Sequence, residues 1–203
     1  MIDTLAKVFG LKDMGKLAYF LGLQVEYKSN GDIFVNHAEY VKDFIHKAGM
    51  DDSKPCSKPC KPNNQVLNTE GILLLDPTQY QSLVRALQYL TFTRPDIAFA
   101  VNTVCKYMNS PTYVHFGMVK RILQFLQRTL NCGLTHASGT SMTMNVFSDS
   151  NWAADLNTRR SIAGYVVYLG TILSLGNPRS ELLFQGATEA EYQALAHTVA
   201  DIA

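Results

Sequence analysis

The 203-residue sequence predicts an α+β fold, in which a small hairpin, a helical middle and a second set of strands follow one another. Aromatic and β-branched residues flank the turn signal Ser-Asn-Gly-Asp at 29–32. Apolar residues then recur at helical spacing between 76 and 130, and strand-like alternation returns at 141–148. No apolar run reaches the roughly 20 residues that a membrane-spanning helix needs, so we expect no membrane segment.

The N-terminal part predicts a strand pair followed by a helix. Residues 17–27 form the first predicted strand, and residues 33–35 form its partner across the turn at 29–32. Asn36 is a suitable cap for the helix that follows, whose apolar side chains recur at helical spacing up to Gly49.

Residues 51–75 are rich in Pro, Lys, Ser and Asn and predict an extended linker. Cys56 and Cys60 lie at a spacing that metal sites use, but no second Cys or His pair follows nearby, which disfavours a zinc site. The chain's four cysteines are too few and too scattered for a disulfide framework. With no secretory leader in the sequence, we expect an intracellular protein, cytoplasmic or nuclear.

Three helices are predicted between residues 76 and 130. Asp76 is a suitable N-cap for the first, with Pro77 at its first helical position. Pro95 is suited to open the second helix, and residues 131–133 end the third.

The C-terminal part predicts strands followed by a helix. The predicted strands are residues 141–148, the pair 164–170 and 171–175, and a short piece at 182–184. The last helix begins near Thr188, with acidic residues in its first turn.

The charge distribution is uneven, although 18 Lys and Arg residues nearly balance 17 Asp and Glu residues. That balance excludes a polybasic tail or an acidic solvating protein as the whole explanation, and it leaves room for a local basic face. No acid lies between Asp96 and Asp149, and Arg85 and Arg94 precede this stretch. The cations within it are Lys106, Lys120, Arg121 and Arg128. Such a segment suits a surface that faces phosphates, and it equally suits a helical core that lacks acids.

Two carboxylates are candidates for a divalent metal site. Asp149 follows a predicted strand and Glu191 lies early in the last helix, so a helix packed on a sheet can bring them together. A metal pair acting on a phosphodiester carries four positive charges and normally shares about four carboxylates. On residue pattern alone, such an Asp is more often a turn residue, and such a Glu more often a partner of the helix dipole.

Three C-terminal motifs resemble the ribonuclease H region of copia-type LTR retrotransposon Pol polyproteins. They are DSNWAA at 149–154, TRRSIAGY at 158–165 and TEAEYQAL at 188–195. Upstream, LKDMG at 11–15 and YFLG at 19–22 resemble the stretch after the polymerase active site, and QYLTFTRPDI at 88–97 and residues 115–123 resemble the connecting region. The resemblance covers almost the whole chain.

The resemblance implies a palm, thumb and connection remnant of reverse transcriptase, built from a hairpin and helices, followed by an incomplete ribonuclease H-like α/β unit. The implied divisions are a palm/thumb tail at 1–50, the linker at 51–75, the helical connection at 76–138 and a truncated ribonuclease H-like domain at 139–203.

The resemblance also implies site residues. The segment Tyr19, Phe20, Leu21 and Gly22 would lie in the hairpin that grips the primer terminus. The cations expected along an RNA–DNA hybrid or template–primer duplex are Arg94, Lys106, Lys120, Arg121 and Arg128. Asp149 and Glu191 would be catalytic carboxylates that bind Mg²⁺.

Departures from the family pattern lead us to expect a Pol fragment without catalysis of its own. Asn151 stands where a second Asp is usual, and Leu175 where a Trp is usual. The polymerase aspartates are expected before Met1 and further ribonuclease H carboxylates after Ala203. Two alternatives stay open. One is a hybrid-binding module with residual metal-dependent ribonuclease H activity. The other is a protein-interaction module that uses the helical middle or an exposed sheet edge at 182–184, through which it would self-associate.

Overall fold

A computed structural model describes residues 15–61, 66–139, 143–170, 172–175, 179–180 and 186–202. The strands are β1 (Tyr19–Phe20), β2 (Leu23–Tyr27), β3 (Ile33–Asn36), β4 (Gly133–His136), β5 (Met144–Asn151), β6 (Ile162–Leu169), β7 (Ile172–Leu175) and β8 (Arg179–Ser180). The α-helices are α1 (Ala38–Lys47), α2 (Thr78–Leu90), α3 (Ala98–Cys105), α4 (Tyr113–Arg128) and α5 (Ala187–Ile202), with a 3₁₀ helix at Pro95–Ile97. This mixture confirms the α+β class. None of the described helices is both long and apolar enough to cross a bilayer.

The first sheet is antiparallel, in the order β1-β2-β3-β4. The predicted turn between β2 and β3 is confirmed, and the Asn30 side chain accepts a hydrogen bond from the Asp32 N–H at 3.1 Å. The prediction of one strand over residues 17–27 is wrong, because Leu21 and Gly22 interrupt it with φ values of 50° and 83°. Two central residues with positive φ form the tight turn that joins β1 to β2.

Strand β4 closes this sheet, and the sequence pattern did not predict it. It pairs with β3, so the chain returns to the N-terminal hairpin after the helices. Only glycine fits at Gly133, since a Cβ there would collide with the Val35 carbonyl oxygen.

The helices α1 to α4 share one apolar core. Its fully buried members include Val41 of α1, Leu87 of α2, Val101 of α3 and Ile122 of α4. The predicted N-caps are wrong by one residue, because His37 and Pro77 occupy the cap positions and neither side chain caps its helix. Asn36 and Asp76 lie just before them, where Asn36 accepts from the Ala38 N–H at 3.0 Å and Asp76 from the Thr78 N–H at 2.9 Å.

Helix α4 begins at a capping box. Thr112 Oγ1 accepts from the His115 N–H at 3.4 Å, and the Thr112 N–H donates to His115 Nδ1 at 3.0 Å. His115 is fully buried, and its ring stacks on Tyr107 with the centroids 3.8 Å apart. This end of α4 is therefore fixed to the core.

The described residues of the predicted linker contain no helix or strand, but the segment is docked. Ser53 Oγ donates to Gln127 Oε1 at 2.8 Å, and Gln127 Nε2 donates to the Asp51 carbonyl at 2.6 Å. Further along, the Cys56 N–H donates to the Gln124 carbonyl at 3.3 Å. Residues 51–56 thus lie along α4.

The second sheet has the order β5-β6-β7, with β8 also paired to β6. The predicted hairpin is confirmed as β6 and β7, whereas the strand predicted at 141–148 lies at 144–151, so Asp149 falls inside β5 rather than after it. Helix α5 packs on β5 and β6 through its buried small residues Ala190, Ala194 and Thr198. The strand piece predicted at 182–184 lies outside the described residues.

Candidate nucleic-acid interface

Arg94, one of the predicted phosphate-binding cations, is buried inside the helical unit. Its Nε and Nη2 donate to the two carboxylate oxygens of Asp96 at 2.9 and 2.7 Å, and its Nη1 donates to the Thr129 carbonyl at 2.9 Å. The guanidinium also lies 5.7 Å from the Phe125 ring centroid. Arg94 therefore ties the 3₁₀ helix to the end of α4 and does not reach the surface.

Lys106 joins the helical unit to the C-terminal unit. Its Nζ lies 2.9 Å from Asp155 Oδ2, in the loop after β5. Burial alone would raise the pKa of Asp155, but hydrogen bonds from Lys106 and from the Thr158 and Asn157 amides outweigh it and lower the pKa to about 2. Asp155 is thus ionised at neutral pH and compensates the charge of Lys106.

Lys120, Arg121 and Arg128 lie on α4 outside its buried stripe. Lys120 and Arg128 are exposed and Arg121 is half-buried. Within the described part of the chain, no carboxylate lies within 4.0 Å of any of the three. Arg121 and Arg128 are seven residues apart, so both project from the same side of the helix.

The docked linker adds three more cations beside α4. All three are exposed, and Lys54 lies within the segment that Gln124 and Gln127 hold against the helix. Lys58 and Lys61 follow that segment, and Lys61 lines one cavity together with Arg121. A further contact comes from Cys56 Sγ, which donates to the Arg121 carbonyl at 3.4 Å. We call these six residues the α4–linker surface: Lys54, Lys58, Lys61, Lys120, Arg121 and Arg128. The sequence pattern did not predict the linker contribution, because spacing along a coil segment carries no signal of docking.

The hairpin of β1 and β2 presents apolar side chains to solvent. Tyr19, Phe20 and Leu21 are all exposed. Helix α2 contacts the turn itself, since Tyr89 Oη donates to the Leu21 carbonyl at 2.6 Å. A Cβ on Gly22 would lie 3.3 Å from the Tyr40 ring. The turn at Leu21 and Gly22 therefore packs against α1 and α2, and these contacts do not involve α4.

A groove lies between the helical unit and the second sheet, and we call it the α3–β5 groove. It is lined by residues of α3, α4, the linker, β5 and β6, and its volume is about 640 Å³. Lys61, Lys106 and Arg121 line it, and Asp149 lines it from β5. The sequence placed these residues in separate segments, and the fold brings them to one cavity.

Comparison with known proteins gives matches that span nearly the whole of this chain. The chain is 38% identical over 205 residues to an uncharacterized mitochondrial protein of Arabidopsis thaliana, covering 100% of this chain and 84% of that protein. It is 35% identical over 202 residues to the retrovirus-related Pol polyprotein from transposon RE1 of the same plant, covering 99% of this chain and 14% of the polyprotein. It is 29% identical over 203 residues to a putative transposon Ty5-1 protein of Saccharomyces cerevisiae, covering 98% of this chain and 66% of that protein.

The chain belongs to the copia-type retrotransposon Pol family. It corresponds to a fragment of a Pol polyprotein, as the sequence motifs predicted. No protein-family model matches the chain, and no solved structure is significantly similar to it.

The two carboxylates that the Pol resemblance assigns to Mg²⁺ are both exposed. Asp149 pairs with Gly164 in the middle of the β5–β6 ladder, and Glu191 lies near the start of α5. Among the residues that the structure describes, no three or more His, Cys, Asp or Glu side chains are grouped to hold a metal ion. Two carboxylates do not fit a Mg²⁺ pair, which needs more oxygen ligands than they supply.

Proposed function

We propose that this Pol fragment binds an RNA–DNA hybrid or template–primer duplex through the α4–linker surface. The observation that carries the proposal is the docking of residues 51–56 on α4, which brings Lys54 beside the cations of the helix and Lys58 and Lys61 into the stretch that directly follows. Lys61 also lines one groove together with Arg121. In the described part of the chain none of the six has a carboxylate within 4.0 Å. Their charges are therefore available to phosphates.

The spacing of these charges suits a nucleic-acid backbone. Helix α4 has 16 residues and is about 24 Å long. Arg121 and Arg128 are separated by about 10 Å along its axis, which corresponds to roughly three base steps. Each phosphate that a cation neutralises releases condensed counterions, so binding at this surface depends strongly on salt and weakly on base sequence.

The first prediction concerns the salt dependence of hybrid binding. Fluorescence anisotropy of a labelled RNA–DNA hybrid over a salt series should give an affinity that falls steeply with salt for the wild-type chain. Replacing Lys120 and Arg128 by Gln should reduce the logarithmic slope by roughly one per cation removed. Replacing Lys54 and Lys58 by Gln should have the same effect, because the linker cations share the surface.

The matched control is Lys42→Gln. Lys42 is also exposed on a helix, but its Nζ pairs with Glu39 at 2.8 Å and lies outside the α4–linker surface. Its slope should equal that of the wild type. Binding that is absent or independent of salt, or slopes that the linker and helix variants leave unchanged, would refute the proposal.

A further inference from the structure

Two exposed phenylalanines line the α3–β5 groove from different elements. Phe99 of α3 is 73% exposed and Phe147 of β5 is 63% exposed, and both belong to the lining of the groove. Phenylalanine is normally among the more buried side chains. Two aromatic faces left open on separate elements of one concave site are available to stack with a planar ligand.

The same groove contains cations and amide groups. Lys61 and Arg121 line it, and neither has a carboxylate within 4.0 Å among the described residues. The Nε of Arg121 is buried and makes no hydrogen bond within the described structure. Asn102 and Asn151 add side-chain donors and acceptors.

The acids of the groove do not cancel these cations. Asp155 is engaged by Lys106 at 2.9 Å, and Asp149 is the other lining carboxylate. The lining therefore combines aromatic faces, an excess of positive charge and amides, which together match the base, phosphate and polar edge of a nucleotide.

We propose that the α3–β5 groove binds an unpaired segment of a nucleic-acid strand, with its bases stacked on Phe99 and Phe147 and its phosphates at Lys61 and Arg121. A volume of about 640 Å³ lies within the range of small-ligand sites, so it accommodates one or two nucleotides and not a duplex. Lys61 and Arg121 also belong to the α4–linker surface, so a strand that leaves a duplex bound there passes directly into the groove. The inference rests on the proposed function only for the class of ligand.

The test uses a short single-stranded oligonucleotide that contains the fluorescent base 2-aminopurine. The wild-type chain should bind it and quench its fluorescence, because quenching reports stacking. Phe99→Leu and Phe147→Leu keep an apolar side chain but lose the aromatic face, so each should bind roughly 5-fold or more weakly with less quenching. Phe147→Trp keeps a stacking face and should retain quenching.

Tyr192→Leu is the matched control, because Tyr192 is an exposed aromatic residue on α5 outside the groove lining. It should bind and quench like the wild type. The strand proposal would be overturned if both Phe→Leu variants bound the oligonucleotide as tightly as the wild type does. It would also be overturned if free adenosine monophosphate bound as tightly as the oligonucleotide. Binding of the RNA–DNA hybrid, measured in parallel, tests the α4–linker surface independently. Hybrid binding without single-strand binding would refute only the proposal for the groove, and single-strand binding without hybrid binding would refute only the proposal for the α4–linker surface.

Discussion

At the scale of single residues, the ion pair between Lys106 and Asp155 has a measurable consequence. Asp155 also accepts hydrogen bonds from the Asn157 and Thr158 amides at 3.0 and 2.9 Å, so one carboxylate shapes the loop after β5 and links it to α3. In the same loop, Asn157 Oδ1 accepts a hydrogen bond from the Asn68 N–H at 2.9 Å. Loss of the Asp155 charge should therefore loosen the contact between the helical unit and the second sheet.

The pH dependence of folding follows from the lowered pKa of Asp155. The unfolded state takes up the proton near the ordinary value of 3.8, whereas the folded state takes it up only near 2. The stabilisation is complete above 3.8 and is lost as pH falls from there towards 2, since the unfolded state then binds more protons. The free energy of unfolding of the wild type, measured with urea at pH values across this interval, should fall as the pH is lowered. The fall should be smaller in Asp155→Asn.

Asp52→Asn is the matched control for that measurement. Asp52 is an exposed carboxylate at the start of the linker, and the structure gives it no hydrogen bond or ion pair with the described residues. Its pH profile should follow that of the wild type. Identical profiles for Asp155→Asn and the wild type would contradict the role assigned to the carboxylate.

At the scale of secondary structure, the hairpin of β1 and β2 depends on a contact from α2. Tyr89 Oη donates to the Leu21 carbonyl at 2.6 Å, and the Tyr89 ring also packs edge-on against Tyr40 and His37. Tyr89→Phe keeps this packing and removes only the hydroxyl. It should destabilise the hairpin by about 0.5–1.5 kcal/mol, the net worth of one hydrogen bond.

Hydrogen exchange of the β1 and β2 amides measures that change. Exchange should accelerate in Tyr89→Phe at the hairpin and stay unchanged at α3 and α4, since local opening and not global unfolding is affected. Tyr113→Phe is the control, because the hydroxyl of this exposed tyrosine has no hydrogen-bond partner among the described residues. Unchanged exchange at the hairpin in Tyr89→Phe would show that the hydroxyl does not hold the turn.

The secondary structure also shows what the sequence could predict. Helices with long apolar stripes were predicted well, because periodicity over three or more turns is a strong local signal. The break at Leu21 was missed because a positive φ at a leucine has no sequence signature in a run rich in β-formers. Strand β4 was missed because its four residues acquire strand geometry only by pairing with β3, across the whole helical unit.

At the scale of the whole molecule, the candidate interface was only partly predictable. The acid-free stretch is visible in the sequence, and Lys120 and Arg128 within it have no carboxylate within 4.0 Å among the described residues. It could not show that Arg94 turns inward to Asp96 and Thr129. Nor could it show that the linker docks on α4, because that contact depends on Gln124 and Gln127 rather than on charge.

The arrangement of charges around Asp149 leads to a last prediction, on catalysis. With two exposed carboxylates and no group of three or more ligating side chains in the described residues, the chain should not cleave the RNA strand of a hybrid when Mg²⁺ is added. Asp149 instead lies in a groove with Lys61 and Arg121, where its negative charge opposes phosphate binding. Asp149→Asn should therefore bind the hybrid as tightly as the wild type or slightly more tightly, with or without Mg²⁺.

The measurement combines hybrid affinity with gel analysis of the RNA strand, and Asp43→Asn serves as the control because Asp43 is an exposed acid of α1 outside the groove lining. Asp43→Asn should change neither the affinity nor the RNA strand, since its charge lies on a different element. Mg²⁺-dependent cleavage by the wild type that disappears in Asp149→Asn would instead establish residual ribonuclease H activity. In that case Asp149 acts as a metal ligand, and the loss of hybrid affinity in Asp149→Asn should appear only when Mg²⁺ is present, because the carboxylate would then attract phosphate through the metal rather than repel it.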